Sequence, residues 1–564
     1  MIALSEEKAR SHGLFIIVLL YLLFLLPGTG SLPLFDRDEP RFSGATIEMI
    51  ERGDYLVPYF NDTFRFDKPP LTYWWMSIHY HLFGVHEFAA RLHAVLASLV
   101  CGLSIYGFGR QFFSARTGLL AALGFLTTFQ ALIHGRLALA DMPLIACLVL
   151  SHWALWNLVK PTSTQSLQKF GKWFWLFWVS ASLGFLAKGP LSIGVPLLSL
   201  LLYRFVFYRR SVSVFQIQPF WGTVVFLIPL ALWGIPALLA TNGAYWEVGI
   251  GKHVIERGLD AFNDRKSFPL FYFFTVGISL FPWFALFWVW QRRVRRDWDP
   301  LNAFLVSWLI APFLIFSFYA TQLPHYILPG FPAFFLLLFR RPCLPLRNHL
   351  RTRFHRLFEK ISAALFGGII ILVLISRLDR YAPLLALGII AISLAFLSLL
   401  WLVRANRSFS HFLLVGCVVG LALSTLGHGL RQNHATIRLA QLLDFQPGLR
   451  QIGLGLGYGF TEPSLVFYTG HFWLAASSGD SIQQLMAEED VQIVVTLVQD
   501  YPLEALLLAA WSGQAPESKR HHTPPDFLPP GQIFRVSGIN PARFSWATVE
   551  IWRPSPQVPG PVVP

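Results

Sequence analysis

Thirteen hydrophobic runs of near-spanning length constrain this 564-residue chain more than any other feature. They fall near 13–31, 88–108, 115–134, 138–158, 173–189, 190–208, 220–240, 269–290, 301–321, 324–339, 361–377, 382–403 and 410–428. A bilayer core needs about 20 apolar residues of helix, and in lipid only structures that satisfy their own backbone polar groups survive. With 54% hydrophobic and 13% charged residues and a mean hydropathy of +0.51, the chain is expected to be a polytopic α-helical membrane protein of about 13 transmembrane helices. A water-soluble fold is excluded.

The net charge of +14 does not point to nucleic acid. The basic residues stand in short clusters between hydrophobic runs, where they set orientation. If the N-terminus is cytoplasmic, one side of the membrane receives Arg110 and Arg116, Lys160 to Lys172, Arg204 to Arg210, Arg292 to Arg296, the Arg340 to Lys360 cluster, and Arg404 and Arg407. The opposite side keeps Asp36, Asp38, Glu39, Asp67, Asp141, Glu247, Glu256 and His325. Chemistry is therefore expected on the outer face. The apolar run after Lys8 and Arg10 reads as an uncleaved first span. Cys101, Cys147, Cys343 and Cys417 have no metal-type spacing.

Two domains are expected: a transmembrane catalytic domain over 1–428 with outer loops 32–87 and 241–268, and an extracytoplasmic α/β domain over 429–564 with a disordered Pro-rich tail. In the second, SLVFYTG (464–470), VQIVVTLV (491–498) and RFSWATVEIW (543–552) have strand character, and Ser481–Glu489 and Leu503–Trp511 read as helices.

The candidate chemistry centres on Asp36 to Leu71, a polar stretch between hydrophobic runs. Asp38, Glu39 and Arg41 open it, and Asp67 and Lys68 precede Pro69 and Pro70 near its end. Between them, Pro40 to Arg52 has the pattern of an amphipathic helix suited to a membrane surface, ended by Gly53. Asp38, Glu39 and Asp67 are the candidate catalytic carboxylates, because a general base needs position more than a special residue type. Lys68 is a compact charge for a phosphate. The plainer alternatives are a solvated charge cluster and a loop salt bridge.

Further candidates are ionisable groups within apolar segments: Arg136, Asp141 and Lys188. Such a group costs about 2.5–3.5 kcal/mol on insertion scales, so it marks a pair or a functional cavity. Arg136 could pair with Asp141, and Lys188 could snorkel. The 241–268 loop, with His253 and a polar helical pattern, is a candidate cover. Gln322 to Tyr326 adds His325 and Tyr326, able to hydrogen-bond a phosphate or sugar. His79, His86 and His93 recur at seven-residue steps on one helical face, too far apart to ligate one ion. No cofactor is required by these residues; a divalent ion held through carboxylate oxygens is left open.

An outward cavity with acids for a nucleophile and cations for a phosphate suits sugar transfer from a lipid-linked phosphate, or transport of an anionic lipid or sugar. The DE-P-R-F segment, GDYLVPYFNDTFRFDKPPLTYWW, FGVHEFAARL, LADMPL, LAKGP, the H-x-x-E-R loop, LPHYILPGFPA and EPSLVFYTG occur in the order seen in bacterial ArnT-like membrane glycosyltransferases. The chain resembles this family, which is of the GT-C class and related to protein O-mannosyltransferases. The resemblance implies an inverting transfer from a polyprenyl-phosphate sugar to lipid A or another envelope acceptor in the bacterial inner membrane. It also implies that Asp38 is catalytic, flanked by Glu39 and Arg41, and that Asp67, Lys68, Asp141, Lys188, His253 and Tyr326 are cavity residues. This chain departs from the family pattern in Phe42, where a tyrosine is common, and in Arg65, where an aromatic residue is common.

Overall fold

The computed structural model describes residues 6–161, 170–208, 214–256, 268, 270–296, 298–340, 353–375, 383–405, 409–443, 454–502, 504–506, 517–521, 531–543 and 545–554. Each of the thirteen hydrophobic runs contains helix. The first half holds α1 (Glu6–Phe24), α2 (Asp38–Arg52), α3 (Leu71–Phe83), α4 (Glu87–Phe112), α5 (Ala115–Leu126), α6 (Phe129–His134), α7 (Asp141–Val159), α8 (Lys172–Lys188), α9 (Leu191–Leu201) and α10 (Pro219–Ala240). Among the described residues four helices are long and apolar enough to cross a membrane: α4, α7, α10 and Pro300–Ser317. Other runs are broken. The 115–134 run divides into α5 and α6, and the 324–339 run opens as a 3-10 turn, Pro324–Gly330, before the helix Phe331–Phe339. Irregular backbone at membrane depth is tolerated where it is enclosed by protein or lines a cavity. Here the 3-10 turn carries His325 and Tyr326 to the cavity described below. The molecule is a helical membrane protein.

Close helix crossings rest on small residues. A Cβ added to Gly109 of α4 would stand 2.3 Å from the Gly118 Cα of α5, so only glycine permits this approach. One large apolar core joins α1, α4, α5, α7, α8 and the Pro300–Phe339 helices, with Phe108, Phe125, Phe304 and Trp308 fully buried.

The polar stretch folds into α2, a β1–β2 hairpin (Tyr59–Phe60 with Thr63–Phe64) and α3. Gly53, at φ 64°, ends α2 as its sequence position predicts. The apolar face of α2, expected to meet a membrane surface, packs on protein. Its Phe42, Ala45 and Met49 pack with Tyr73, Met76 and Tyr80 of α3, and the same cluster takes in Phe467 and Tyr468 from the C-terminal domain. Even Glu48 is buried, because the face expected to meet water meets protein.

The final membrane-region helix, Phe409–Asn433, runs past residue 428, so the C-terminal domain begins near His434. Its sheet has the order β4-β3-β5-β8-β7, with β6 (Arg520–His521) paired to β5. Strands β3 (Leu454–Tyr458), β4 (Phe472–Ala476) and β5 (Val491–Pro502) are mutually parallel. Strands β7 (Gly531–Asn540) and β8 (Ser545–Pro554) continue antiparallel. Cores form on both faces, around Leu465, Val495 and Val549 on one and around Leu456, Ile482 and Val494 on the other.

The 491–498 and 543–552 strand expectations and the 481–489 helix agree with β5, β8 and the helix Gly479–Glu488. SLVFYTG does not: Ser464–Thr469 is a helix stopped by Gly470 at φ 67°. Pro463 fits its N-cap, and packing of Leu465, Phe467 and Tyr468 into two cores overrides their β-propensity. Of the expected 503–511 helix, only 504–506 is described, as helix; the Pro-rich tail lies outside the described residues.

Candidate active site

The site forms where loops and helix ends meet at the α2–α3 side of the bundle. Asp38 and Glu39 begin α2, where acids complement the helix dipole, but their neighbours on the helix face opposite surroundings. Glu39 is fully buried. Its Oε1 accepts from Arg91 Nε at 2.8 Å and Ala138 N at 2.6 Å, and its Oε2 from Arg91 Nη2 at 2.7 Å and Phe35 N at 2.8 Å. Arg91 also donates to the carbonyls of Thr29, Leu32 and Pro33 at 2.6–2.8 Å. Four donors occupy the Glu39 carboxylate, so it braces the loop. Asp38 is exposed.

Around Asp38 stands a mixed cluster. Arg41 feels the charges of Arg65, Asp38 and Asp67; burial first, then Arg65, lowers its pKa. Arg65 donates to Tyr73 Oη and to Asp67 Oδ2, both at 3.0 Å, and its guanidinium lies over Phe42, 5.3 Å from the ring centroid. Phe42 stacks on Tyr73 at 5.1 Å. Burial raises the Tyr73 hydroxyl to about 12, so it remains a proton donor at neutral pH. The two departures from the family pattern, Phe42 and Arg65, are thus contacting partners. Lys68 Nζ donates to Asp67 Oδ1 at 3.0 Å and to the Asp67 carbonyl at 2.8 Å, while Tyr245 Oη donates to the Lys68 carbonyl at 2.8 Å.

Asp67 and Lys68 also line a cavity with about 1140 Å³ of empty space including its open mouth. A second ion pair reaches it from the bundle: Asp141, first residue of α7, with Lys188, last of α8, at 2.5 Å. His325 Nε2 lies 3.5 Å from Asp141 Oδ1, and Lys188 Nζ sits over Tyr326, 5.8 Å from its centroid. Leu144, Leu148, Phe185 and Val195 supply apolar wall, the combination a ligand with a charged head and an apolar tail requires.

Arg136 is placed elsewhere. It is buried and donates to the Pro27 and Leu132 carbonyls at 3.2 and 2.5 Å; Asp141 takes Lys188 instead. Lys188 is paired rather than snorkelling. His253 falls in a π-helical segment, Tyr245–Glu256, and its side chain lies outside the described residues. The three evenly spaced histidines do not share a helix: His79 is in α3, while His86 caps α4 by accepting from Ala89 N and His93 is inside α4. Among the described residues no three His, Cys, Asp or Glu side chains gather as a metal-holding group.

Sequence reasoning passed over Arg91, His134 and Tyr245. Arg91 and His134 carried the signal used for Lys188, a polar group inside an apolar run; the His134 ring lies 4.3 Å from that of His325. Tyr245 acts through its hydroxyl on a backbone carbonyl, which no pattern announces.

The dolichyl-phosphate-mannose-protein mannosyltransferase family matches residues 67–234, which carry Asp67, Lys68, Asp141 and Lys188. The undecaprenyl phosphate-alpha-4-amino-4-deoxy-L-arabinose arabinosyl transferase of Yersinia pestis is 29% identical over 384 residues, 66% of this chain and 65% of its own length. The enzyme of the same name from Edwardsiella ictaluri is 30% identical over 328 residues, 57% of each chain. The chain thus spans 57–65% of the length of these curated relatives. Among solved structures, ArnT from Cupriavidus metallidurans bound to undecaprenyl phosphate superposes with a TM-score of 0.69 at 18% identity, covering 95% of this chain and 96% of that one. Its apo form gives 0.67 over 94% and 96%. The chain is thus similar in sequence to these arabinosyl transferases and in fold to ArnT.

Proposed function

We propose that the protein is a glycosyltransferase that moves a sugar from a polyprenyl-phosphate donor to an envelope acceptor such as lipid A. The reaction takes place at the outer face of a bacterial inner membrane, with inversion at the anomeric carbon. The N-terminus is cytoplasmic and the C-terminal domain extracytoplasmic. One observation carries this reading: two carboxylate–lysine pairs, Asp67–Lys68 and Asp141–Lys188, converge on one cavity with apolar walls. That ArnT of Cupriavidus metallidurans was solved with undecaprenyl phosphate supports a lipid phosphate as the occupant.

In this reading the donor phosphate meets Lys68 and Lys188, with Arg41 beside them, while its lipid chain follows Leu144 and Leu148. As the sugar–oxygen bond breaks, negative charge grows on the departing lipid phosphate. Fixed cations in a site with little water stabilise that charge more than they stabilise the intact donor. Asp38, exposed next to this cluster, orients the acceptor or takes its proton; a phosphate acceptor is already ionised and needs only orientation. Asp67 holds Lys68 and Arg65 in register, and Tyr326 supports Lys188. Glu39 positions Asp38 through the backbone. The reading calls on no cofactor.

A purified-protein assay tests it: label supplied in polyprenyl-phosphate sugars, then sought in extracted envelope lipids and proteins. Label in lipid is expected. Label in protein would make the enzyme a protein O-mannosyltransferase-like one, and no label from any donor would favour a lipid or sugar transporter.

A further inference from the structure

Three anchors tie the segment just before Asp38 to the C-terminal domain. The Leu34 amide donates to Tyr468 Oη at 2.9 Å. Asp36 Oδ1 accepts from the Ser464 amide at 2.9 Å. Arg37 Nε stands 3.9 Å from Glu462 Oε2. All three partners lie on one short stretch of a domain some 430 residues further along the chain. Glu462 is itself buried, held by Arg543 Nε at 3.0 Å and Asn540 Nδ2 at 3.2 Å.

The middle anchor is unusual. Asp36 Oδ2 is buried and has no hydrogen-bond partner, and the charged groups that face the carboxyl are Glu462 from the C-terminal domain and Arg41 from α2. An ionised Asp36 would leave one oxygen unsatisfied beside another carboxylate. A protonated Asp36 removes that repulsion and still accepts the Ser464 amide through its carbonyl oxygen.

We propose that Asp36 is a proton-dependent positioning residue: in its neutral form it docks the Asp38 loop onto the 462–468 segment of the C-terminal domain and holds Asp38 in place for transfer. The inference rests on the reading of Asp38 given above. Burial raises the Asp36 pKa to about 7, with Glu462 adding to the rise and Ser464 opposing it. The sign follows. The folded value exceeds the ordinary carboxyl value, so the docking contribution is full below about pH 4, declines as pH rises, and is gone above about pH 7.

The test uses the full-length protein in detergent or nanodiscs, with two readouts. The first is hydrogen exchange of residues 34–41 and 462–469, corrected for intrinsic rates, between pH 5.5 and 8. Wild-type protection is expected to fall several-fold across this range. Asp36→Asn, which keeps an acceptor for Ser464 and carries no charge, is expected to stay protected throughout, and Asp36→Ala to be poorly protected at every pH. The second readout is transfer: Asp36→Asn should flatten the wild-type decline above pH 7, whereas Asp36→Ala should lower kcat about tenfold with little change in donor KM.

Parallel pH profiles of protection in the wild type and Asp36→Asn would overturn the proposal, whether or not transfer is detected. Absence of transfer by the wild type would instead strike the proposed function and leave the exchange result to judge the docking. If Asp36→Ala fails to fold, Asp36→Asn and Glu462→Gln carry the test, the latter expected to make the fall in protection between pH 5.5 and 8 shallower than in the wild type.

Discussion

Buried ion pairs at this site divide into those that hold the loop and those that face the cavity. Glu39 and Arg91 are of the first kind: both are fully buried and every Glu39 oxygen is used twice. Removing one partner strands a buried charge, which costs about 3–5 kcal/mol. Glu39→Ala is therefore expected to lower the unfolding midpoint in detergent strongly, and an unchanged midpoint would show that the pair does not brace the fold. Lys188 faces the cavity, so Lys188→Ala should weaken donor binding about tenfold or more while moving stability less, as donor titration would reveal. The candidacy of Asp141 and Lys188 was legible because ionisable groups in apolar runs stand out. Their partnership was not: Arg136 lies nearer to Asp141 in sequence, yet it turns to the backbone carbonyls of Pro27 and Leu132. Side-chain hydrogen bonds to backbone leave no pairing signal, and the same blindness hid the four bonds of Glu39.

At the level of elements, close backbone approach sets the tolerance to change. Any side chain at Gly109 would collide with the α5 backbone, which cannot yield as a side chain would. Gly109→Val is expected to cost more than the roughly 1–3 kcal/mol of ordinary overpacking. Gly234 in α10 has nothing within 4 Å of its would-be Cβ, so Gly234→Ala should be neutral or stabilise by up to about 1 kcal/mol. Comparative thermal unfolding of the two variants checks both. Hydrophobic runs revealed the helices, because length and apolarity suffice for a segment in lipid. Less was visible in the C-terminal domain: β3 carries Gly455 and Gly457 and lacks a strand signature, and Ser464–Thr469 looks like a strand until its two flanking cores are known. Tertiary packing decided both.

For the whole molecule, orientation and chemistry are one argument. In the proposed orientation, with acids outward and bases inward, the cavity opens at the outer face, so a cysteine introduced at exposed Asp480 should react with an impermeant thiol reagent in intact cells. One at exposed Arg296 should react only after permeabilisation. The opposite pattern would invert the topology. The division into a membrane region and an α/β domain was legible from composition, but the contact between them was not. The anchors from Leu34, Asp36 and Arg37 to residues 462–468 join parts of the chain that no local pattern connects. In the proposed mechanism Asp38 acts on the acceptor while the lysine-lined cavity holds the donor. The most direct measurement is single-turnover transfer from a saturating polyprenyl-phosphate sugar by purified wild type and Asp38→Asn, with donor binding followed on the same samples. Asp38→Asn is expected to bind donor as the wild type does and to transfer at least about 100-fold more slowly. Transfer by Asp38→Asn at the wild-type rate would contradict this mechanism.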